Sequence, residues 1–208
     1  MFELYAVRHG QSMANEKNVI QGQTSTPLSQ LGLKQAEALA KRLANIRFDA
    51  VYTSDLERAT QTAEFAAPYI QPILCKELRE WNLGIFQGVS VDKVKELYPN
   101  EWEQFLHGTS DYRIPGGETA DEVHKRVICF LKRLESEVTG DRILVVSHGG
   151  TIRSMLKQIL GLETPWPLSP QITNTSVSRF VFKEGKWQLG TWNDISHLEG
   201  LMPTAGNY

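Results

Sequence analysis

Two histidines stand at places in this sequence where chemistry is easily built. The apolar stretch from Phe2 to Val7 ends abruptly at Arg8-His9-Gly10, and the most apolar stretch, Ile143-Leu144-Val145-Val146, ends at Ser147-His148-Gly149-Gly150. A second arginine, Arg58, follows another short β-prone segment around Ala50-Val51-Tyr52. Two imidazoles and two guanidiniums form a donor set suited to phosphoryl transfer, which needs cations matched to three equatorial oxygens and an in-line nucleophile. Arginine's planar fork donates paired hydrogen bonds and stays charged. A neutral imidazole is nucleophilic near pH 7, and arginines beside His9 depress its pKa and keep that form available. A second imidazole can donate to the phosphoryl oxygens. The leaving alkoxide needs a proton from a carboxylic acid, and Glu80 is available in a loop.

The elements that must position these groups can be read from periodicity and caps. Phe2 to Val7 reads as a buried strand followed by a turn, and Ile143 to Val146 as a central strand covered on both faces. Ser29 precedes a helical pattern, with Ala36, Leu39, Ala40 and Leu43 on one face. Ser54 and Glu57 have the spacing of a capping box, which predicts a helix from there to about Ala67 with Arg58 in its first turn. Thr119 and Glu122 repeat that spacing ahead of a stripe of Val123, Val127, Phe130, Leu131 and Leu134, read as core. Ile70 to Leu74 reads as a short strand, Thr151 to Leu160 as a helix, and Ser176 to Phe182 with Lys186 to Trp192 as a hairpin turning at Glu184-Gly185. The stretch 80–117 is predicted to form short helices and loops over a site, and 195–208 an irregular tail.

Strands alternating with helices imply an α/β chain with a mainly parallel sheet and helices on both faces. Sites in such sheets form at the carboxyl ends of strands, which is where His9, His148 and Arg58 fall. The length, 208 residues with 41% hydrophobic, fits a single domain over 1–208. Net charge is -2, from 22 basic and 24 acidic residues, so no global field draws the chain to nucleic acid or to an anionic membrane. No run is apolar for long enough to span a bilayer and no signal peptide is visible, so a cytoplasmic location is expected. Cys75 and Cys129 are far apart and read as partly buried free thiols rather than metal ligands or a disulfide.

These blocks together resemble the histidine phosphatase superfamily, which includes cofactor-dependent phosphoglycerate mutases. Arg8-His9-Gly10 is similar to its signature, with Asn15 and Gln21-Gly22 after it. Pro27-Leu28-Ser29-Gln30-Leu31-Gly32 resembles the next segment, Ser54-Asp55-Leu56-Glu57-Arg58-Ala59 the motif of the second arginine, and Leu78-Arg79-Glu80 with Gly84 and Gly88 the acid loop. Pro115-Gly116-Gly117-Glu118 and Ser147-His148-Gly149-Gly150 complete the order. The resemblance implies a three-layer α/β/α fold like that of phosphoglycerate mutase. It implies a phosphohistidine on His9, with Arg8, Arg58 and His148 holding the phosphoryl group and Glu80 as acid and then base. Asn15, Gln21, Gly22 and the Gly149 backbone are implied to bind substrate, and no metal or other cofactor is implied.

Gln11 stands where the family commonly has Glu. Mutases typically show Arg-His-Tyr-Gly after the catalytic Glu, whereas this chain has Trp81-Asn82-Leu83-Gly84. Hydrolysis of a small phosphorylated metabolite is therefore favoured, ahead of a mutase and of a non-catalytic phosphoester-binding module. Sugar phosphates, phosphoglycerates and the nucleotide-loop precursor of cobalamin synthesis all remain as substrates, and a homodimer stays open. His107, His124 and His197 match no motif; His124 is expected to face solvent from its helix. Trp81, Trp102 and Trp166 either line a pocket or pack the core, Lys93, Lys95 and Glu96 mark a solvated helix face, and Glu118 is expected to complement the dipole of the helix it precedes.

Overall fold

The computed structural model of the protein describes residues 1–162 and 170–201. Trp166 lies outside them, as do residues 202–208 of the expected tail. The chain forms a central sheet of six strands in the order β3-β2-β4-β1-β5-β6, from β1 (Phe2–Arg8), β2 (Ala50–Thr53), β3 (Ile73–Leu74), β4 (Arg142–Ser147), β5 (Val177–Lys183) and β6 (Lys186–Asp194). β3, β2, β4 and β1 run parallel; β5 and β6 are an antiparallel hairpin on the far edge of β1. Its turn is Glu184-Gly185, both with positive φ, as a tight two-residue hairpin turn requires.

The alternation of side chains along the central strands divides the core between two faces. Leu4 and Ala6 of β1 and Ile143 and Val145 of β4 face one side. They pack there with Val127, Phe130 and Leu134 of α6 (Ala120–Glu137) and with Ile152, Met155 and Ile159 of α7 (Gly149–Leu160). Val7, Leu144 and Val146 face the other side. They meet Leu39 and Leu43 of α2 (Gln30–Leu43) and Ala59 and Ala63 of α3 (Glu57–Ala66). This is the three-layer α/β/α arrangement, and each such buried Leu, Val, Phe or Met contributes roughly 1.5–3 kcal/mol of burial free energy. The stripe from Val123 to Leu134 is core, as its periodicity predicts.

The helix starts follow local chemistry, with one departure. Ser29 caps α2, its hydroxyl accepting from Gly32 N at 3.1 Å. Thr119 and Glu122 form the expected reciprocal box at the start of α6. Ser54 and Glu57 do not form one: α3 begins after Leu56 without a side-chain cap. The Ser54 hydroxyl instead accepts from Leu56 N at 3.3 Å, a local turn, and lies 2.8 Å from His148 Nε2. Arg58 still falls in the first turn of α3. A short helix α1 (Met13–Glu16), capped by Ser12 and Asn15, was not visible in the periodicity.

Residues 80–117 form α4 (Val91–Leu97), α5 (Pro99–His107) and loops, gathered over a separate cluster of Phe86, Val91, Val94, Trp102 and Ile114. Lys93, Lys95 and Glu96 are exposed on α4, with the Lys95 ammonium near the Trp102 ring. Cys75 is buried and Cys129 exposed, so the expectation of two partly buried thiols fails at Cys129, which sits on the outer face of α6. No helix among the described residues is long and apolar enough to cross a membrane.

Candidate active site

Strand register brings the histidines together. Arg8 pairs with Ser147 across the parallel β1–β4 ladder, so the next residue on each strand is a histidine. His9 N donates to Ser147 O at 2.9 Å, and the two imidazole centroids are 5.1 Å apart. Thr53 pairs with Val146 on the other side of β4, which puts Ser54 beside His148 and the start of α3 beside His9.

His9 is 3% exposed. Its Nδ1 is 2.7 Å from Gly10 O, a group that can only accept, so Nδ1 carries the proton and Nε2 holds a lone pair. Arg58 Nε donates to that lone pair at 3.3 Å. Burial, then the charges of Arg58 and Arg8, push the His9 pKa well below the ordinary histidine value. His148 is fully buried and shifted the same way, by burial first and then by Arg58. Its Nε2 meets Ser54, and its Nδ1 is buried without a hydrogen-bond partner among the described residues. A buried ring nitrogen left without a partner is costly unless a ligand meets it.

Arg58 is 1% exposed and clamped by the turn 22–24: Nη2 donates to Gly22 O at 2.7 Å and Nη1 to Thr24 O at 2.9 Å. Gly22 has φ +52°, and a Cβ there would run into the Gln87 side chain. Arg8 Nη1 donates to Ile172 O at 2.6 Å. Desolvation lowers both guanidiniums to about 10, which leaves them charged at neutral pH. Asn15 and Gln21 line the same cavity. The Asn15 carbonyl oxygen accepts from Ser12 N, and that of Gln21 accepts from Ser12 and Thr26 hydroxyls, so their amide N–H groups are the ends available to a ligand.

Glu80 also lines the cavity. Its carboxylate accepts from Trp81 N at 2.9 Å and from Gly150 N at 3.1 Å. The loop carrying it is fastened at successive residues. Ser147 Oγ donates to Leu78 O, Thr151 Oγ1 to Arg79 O, and Arg126 and Gln23 to Glu80 O. Arg79 forms a two-pronged pair with Asp55, both contacts at 2.6 Å. Glu118 accepts from Asn82 N and pairs with Arg126, so it secures the acid loop rather than complementing a helix dipole. The cavity's remaining wall is apolar, from Val19, Ile20, Trp81, Leu83, Trp102 and Phe105.

The model of the histidine phosphatase superfamily, branch 1, matches residues 4–195. This chain belongs to that superfamily. It is 35% identical to phosphoglycerate mutase-like protein 4 of Arabidopsis thaliana over 95% of this chain and 87% of that one. Among solved structures it is similar to Bacillus stearothermophilus YhfR, with TM-score 0.89 and 27% identity, covering 95% of this chain and 100% of that one. It is also similar to a mycobacterial glucosyl-3-phosphoglycerate phosphatase complexed with VO3, with TM-score 0.83 and 28% identity, covering 93% and 99%.

In this member of the superfamily, Arg8, His9, Arg58, Glu80, Asn15, Gln21 and Gly22 line one cavity, and the His148 ring lies 5.1 Å from that of His9. Gly149 lies against Arg8, and its neighbour Gly150 is the glycine that reaches the cavity. Sequence reasoning missed Gly150 as the anchor of Glu80, and missed Arg153, a third guanidinium on the cavity wall. The one signal was spacing: Arg153 sits one turn beyond Gly149-Gly150 on the same helix. His124 does not face solvent; its Nδ1 is 2.9 Å from Ser154 Oγ of the neighbouring α7. His197 lies near Thr175 and His107 near Glu103, both away from the cavity-lining set.

Proposed function

We propose that the protein is a phosphomonoesterase that hydrolyses a small phosphorylated metabolite through a phosphohistidine on His9. The observation that carries this reading is the tautomer of His9: Gly10 O holds the proton on Nδ1 and leaves the Nε2 lone pair beside Arg58, in a cavity that Arg8 also lines. Nε2 attacks phosphorus; the ester P–O bond breaks, and its electron pair leaves with the alkoxide oxygen. Protonated Glu80 gives its proton to that oxygen. The Glu80 carboxylate then takes a proton from water, whose oxygen attacks phosphorus and breaks the P–N bond. Phosphate departs, and His9 and Glu80 return to their starting forms. Arg8, Arg58 and His148 Nδ1 stabilise charge on the equatorial oxygens, with Asn15, Gln21 and backbone N–H groups around Gly149 adding donors.

The supporting chemistry is that guanidiniums supply the positive charge here and imidazole and backbone N–H groups add donors, so turnover needs no divalent cation. The test is phosphate release from a panel of phosphomonoesters with a chelator present. Release from one or a few members is expected; loss of all release on chelation, restored by a metal, refutes the cation-free mechanism. A mutase is the second reading, favoured by the resemblance to the Arabidopsis protein. Against it, Trp81 and Leu83 offer apolar surface after Glu80, where mutases typically carry Arg and Tyr. A primed mutase assay with 3-phosphoglycerate distinguishes the two.

A further inference from the structure

Two neutral imidazoles with different tasks must each keep a single proton on the right nitrogen. For His9 the Gly10 carbonyl does this, by accepting from Nδ1. His148 has no such carbonyl. Burial and the nearby guanidiniums keep it neutral, so it has one N–H to place. Among the described residues its ring meets one polar partner, Ser54 Oγ, 2.8 Å from Nε2, while Nδ1 has none. A hydroxyl can donate or accept in such a contact, and which it does sets the tautomer.

The surroundings of Ser54 decide the direction. Ser54 and His148 are both fully buried. Ser54 N donates to Val146 O at 3.0 Å, which extends the β2–β4 ladder by one residue and fixes the serine beside the imidazole. Leu56 N donates to Ser54 Oγ at 3.3 Å, so the hydroxyl oxygen is already an acceptor in the local turn. Its hydrogen then has one acceptor among the described residues, the Nε2 lone pair of His148. With the imidazole proton on Nε2 instead, the Ser54 hydrogen would be buried without a partner, a loss on the scale of a full desolvation penalty. The same tautomer would turn an Nδ1 lone pair, rather than a proton, toward the phosphoryl oxygens. Both penalties fall on one arrangement.

We propose that Ser54 is a positioning residue: its hydroxyl donates to His148 Nε2, holds the imidazole proton on Nδ1, and so makes His148 a hydrogen-bond donor to the phosphoryl group. His9 and His148 thereby share one tautomer and offer opposite ends of it. His9 presents the Nε2 lone pair that attacks, and His148 presents the Nδ1 proton that stabilises charge. The use made of that proton rests on the hydrolysis proposed above, yet the tautomer is read without turnover. Long-range proton–nitrogen NMR on protein labelled with nitrogen-15 histidine distinguishes ring nitrogens with and without hydrogen, and His148→Asn assigns the signals. The unmodified protein is expected to carry the His148 proton on Nδ1. Ser54→Ala should move it toward Nε2 and lower kcat by on the order of tenfold, the scale of one hydroxyl hydrogen bond. KM should change little, because the donor acts on the transition state. Ser54→Thr, which keeps the hydroxyl, should hold the original tautomer. Circular dichroism checks that each variant is folded. A proton on Nε2 in the unmodified protein overturns the inference and needs no variant. So does an unchanged tautomer in folded Ser54→Ala, which would leave Ser54 a structural residue, or a tautomer that moves while kcat does not. A folded Ser54→Thr protein with the tautomer of the alanine variant also overturns it. If the unmodified protein releases no phosphate from any ester, the hydrolytic reading fails, while the tautomers still decide what Ser54 does.

Discussion

Replacing Gly150 with alanine should damage the chemistry without damaging the fold. A Cβ at that position would stand 2.5 Å from Glu80 Oε1 and 3.3 Å from Glu80 Cδ, with no backbone atom among its three nearest contacts. The carboxylate is the far end of a flexible side chain, so it moves and the backbone does not. Restoring an ordinary contact of about 3.4 Å displaces the oxygen by roughly 1 Å, and a misplacement of that size costs on the order of 100-fold in rate. Gly150 has helical backbone in the first turn of α7 and lacks a positive φ, so alanine raises stability by about 0.4–1 kcal/mol through the unfolded chain. Thermal melting should therefore show no loss, while kcat falls. The fall should be steep for alkyl phosphates and shallow for p-nitrophenyl phosphate, whose leaving group needs little protonation. Glu80→Gln should show the same leaving-group pattern, and the double variant should be no worse than Glu80→Gln alone. Unchanged kcat on alkyl esters in Gly150→Ala, or equal losses on alkyl and aryl esters, would refute the placement of Glu80 as the proton donor.

Other consequences can be measured on the same protein. Arg126→Met removes donors to Glu77 O and Glu80 O and the partner of Glu118; urea unfolding should show a loss of about 2 kcal/mol, with kcat falling as the acid loop loosens. Gly22→Ala forces a Cβ onto a φ of +52° and into Gln87, which costs roughly 1–2 kcal/mol and, by disturbing the carbonyl that holds Arg58, should raise KM. His9 and His148 are held neutral in the fold and protonate freely when unfolded, with their folded pKa lowered by burial first. Above the unfolded pKa near 6.5 neither contributes a pH dependence; as pH falls below it the unfolded state binds more protons, so stability drops by about 1.4 kcal/mol per pH unit for each. Unfolding curves between pH 6 and 5 should show a shallower slope by that amount in His9→Asn, and an unchanged slope would contradict the assignment.

The parts of the site set by local chemistry were legible in the sequence, and the parts set by distant contacts were not. Val7 and Val146 face one side of the sheet and Ala6 and Val145 the other, and the break in each run at a histidine marks the strand's carboxyl end. Sequence cannot state that Arg8 pairs with Ser147, which is what aligns the two histidines. Ser54 misled because its hydroxyl has a better use than capping: a buried His148 at 2.8 Å, 94 residues away in the chain. Glu118 reads as a partner for a helix dipole, and nothing local singles out Arg126, until the loop carrying Glu80 folds across them. Arg153 looked like one more helix arginine, because nothing local distinguishes a guanidinium facing a cavity from one facing solvent.

The most direct test of the central claim is to trap the intermediate. The purified protein would be mixed with a turned-over phosphomonoester, quenched within one turnover in alkali, where phosphohistidine survives, and digested for mass spectrometry. The account predicts one added phosphoryl group on the peptide containing Arg8-His9-Gly10, absent in His9→Ala and enriched in Glu80→Gln when an aryl phosphate is used. Turnover with the phosphoryl group found on another residue, or full turnover by His9→Ala, would contradict it.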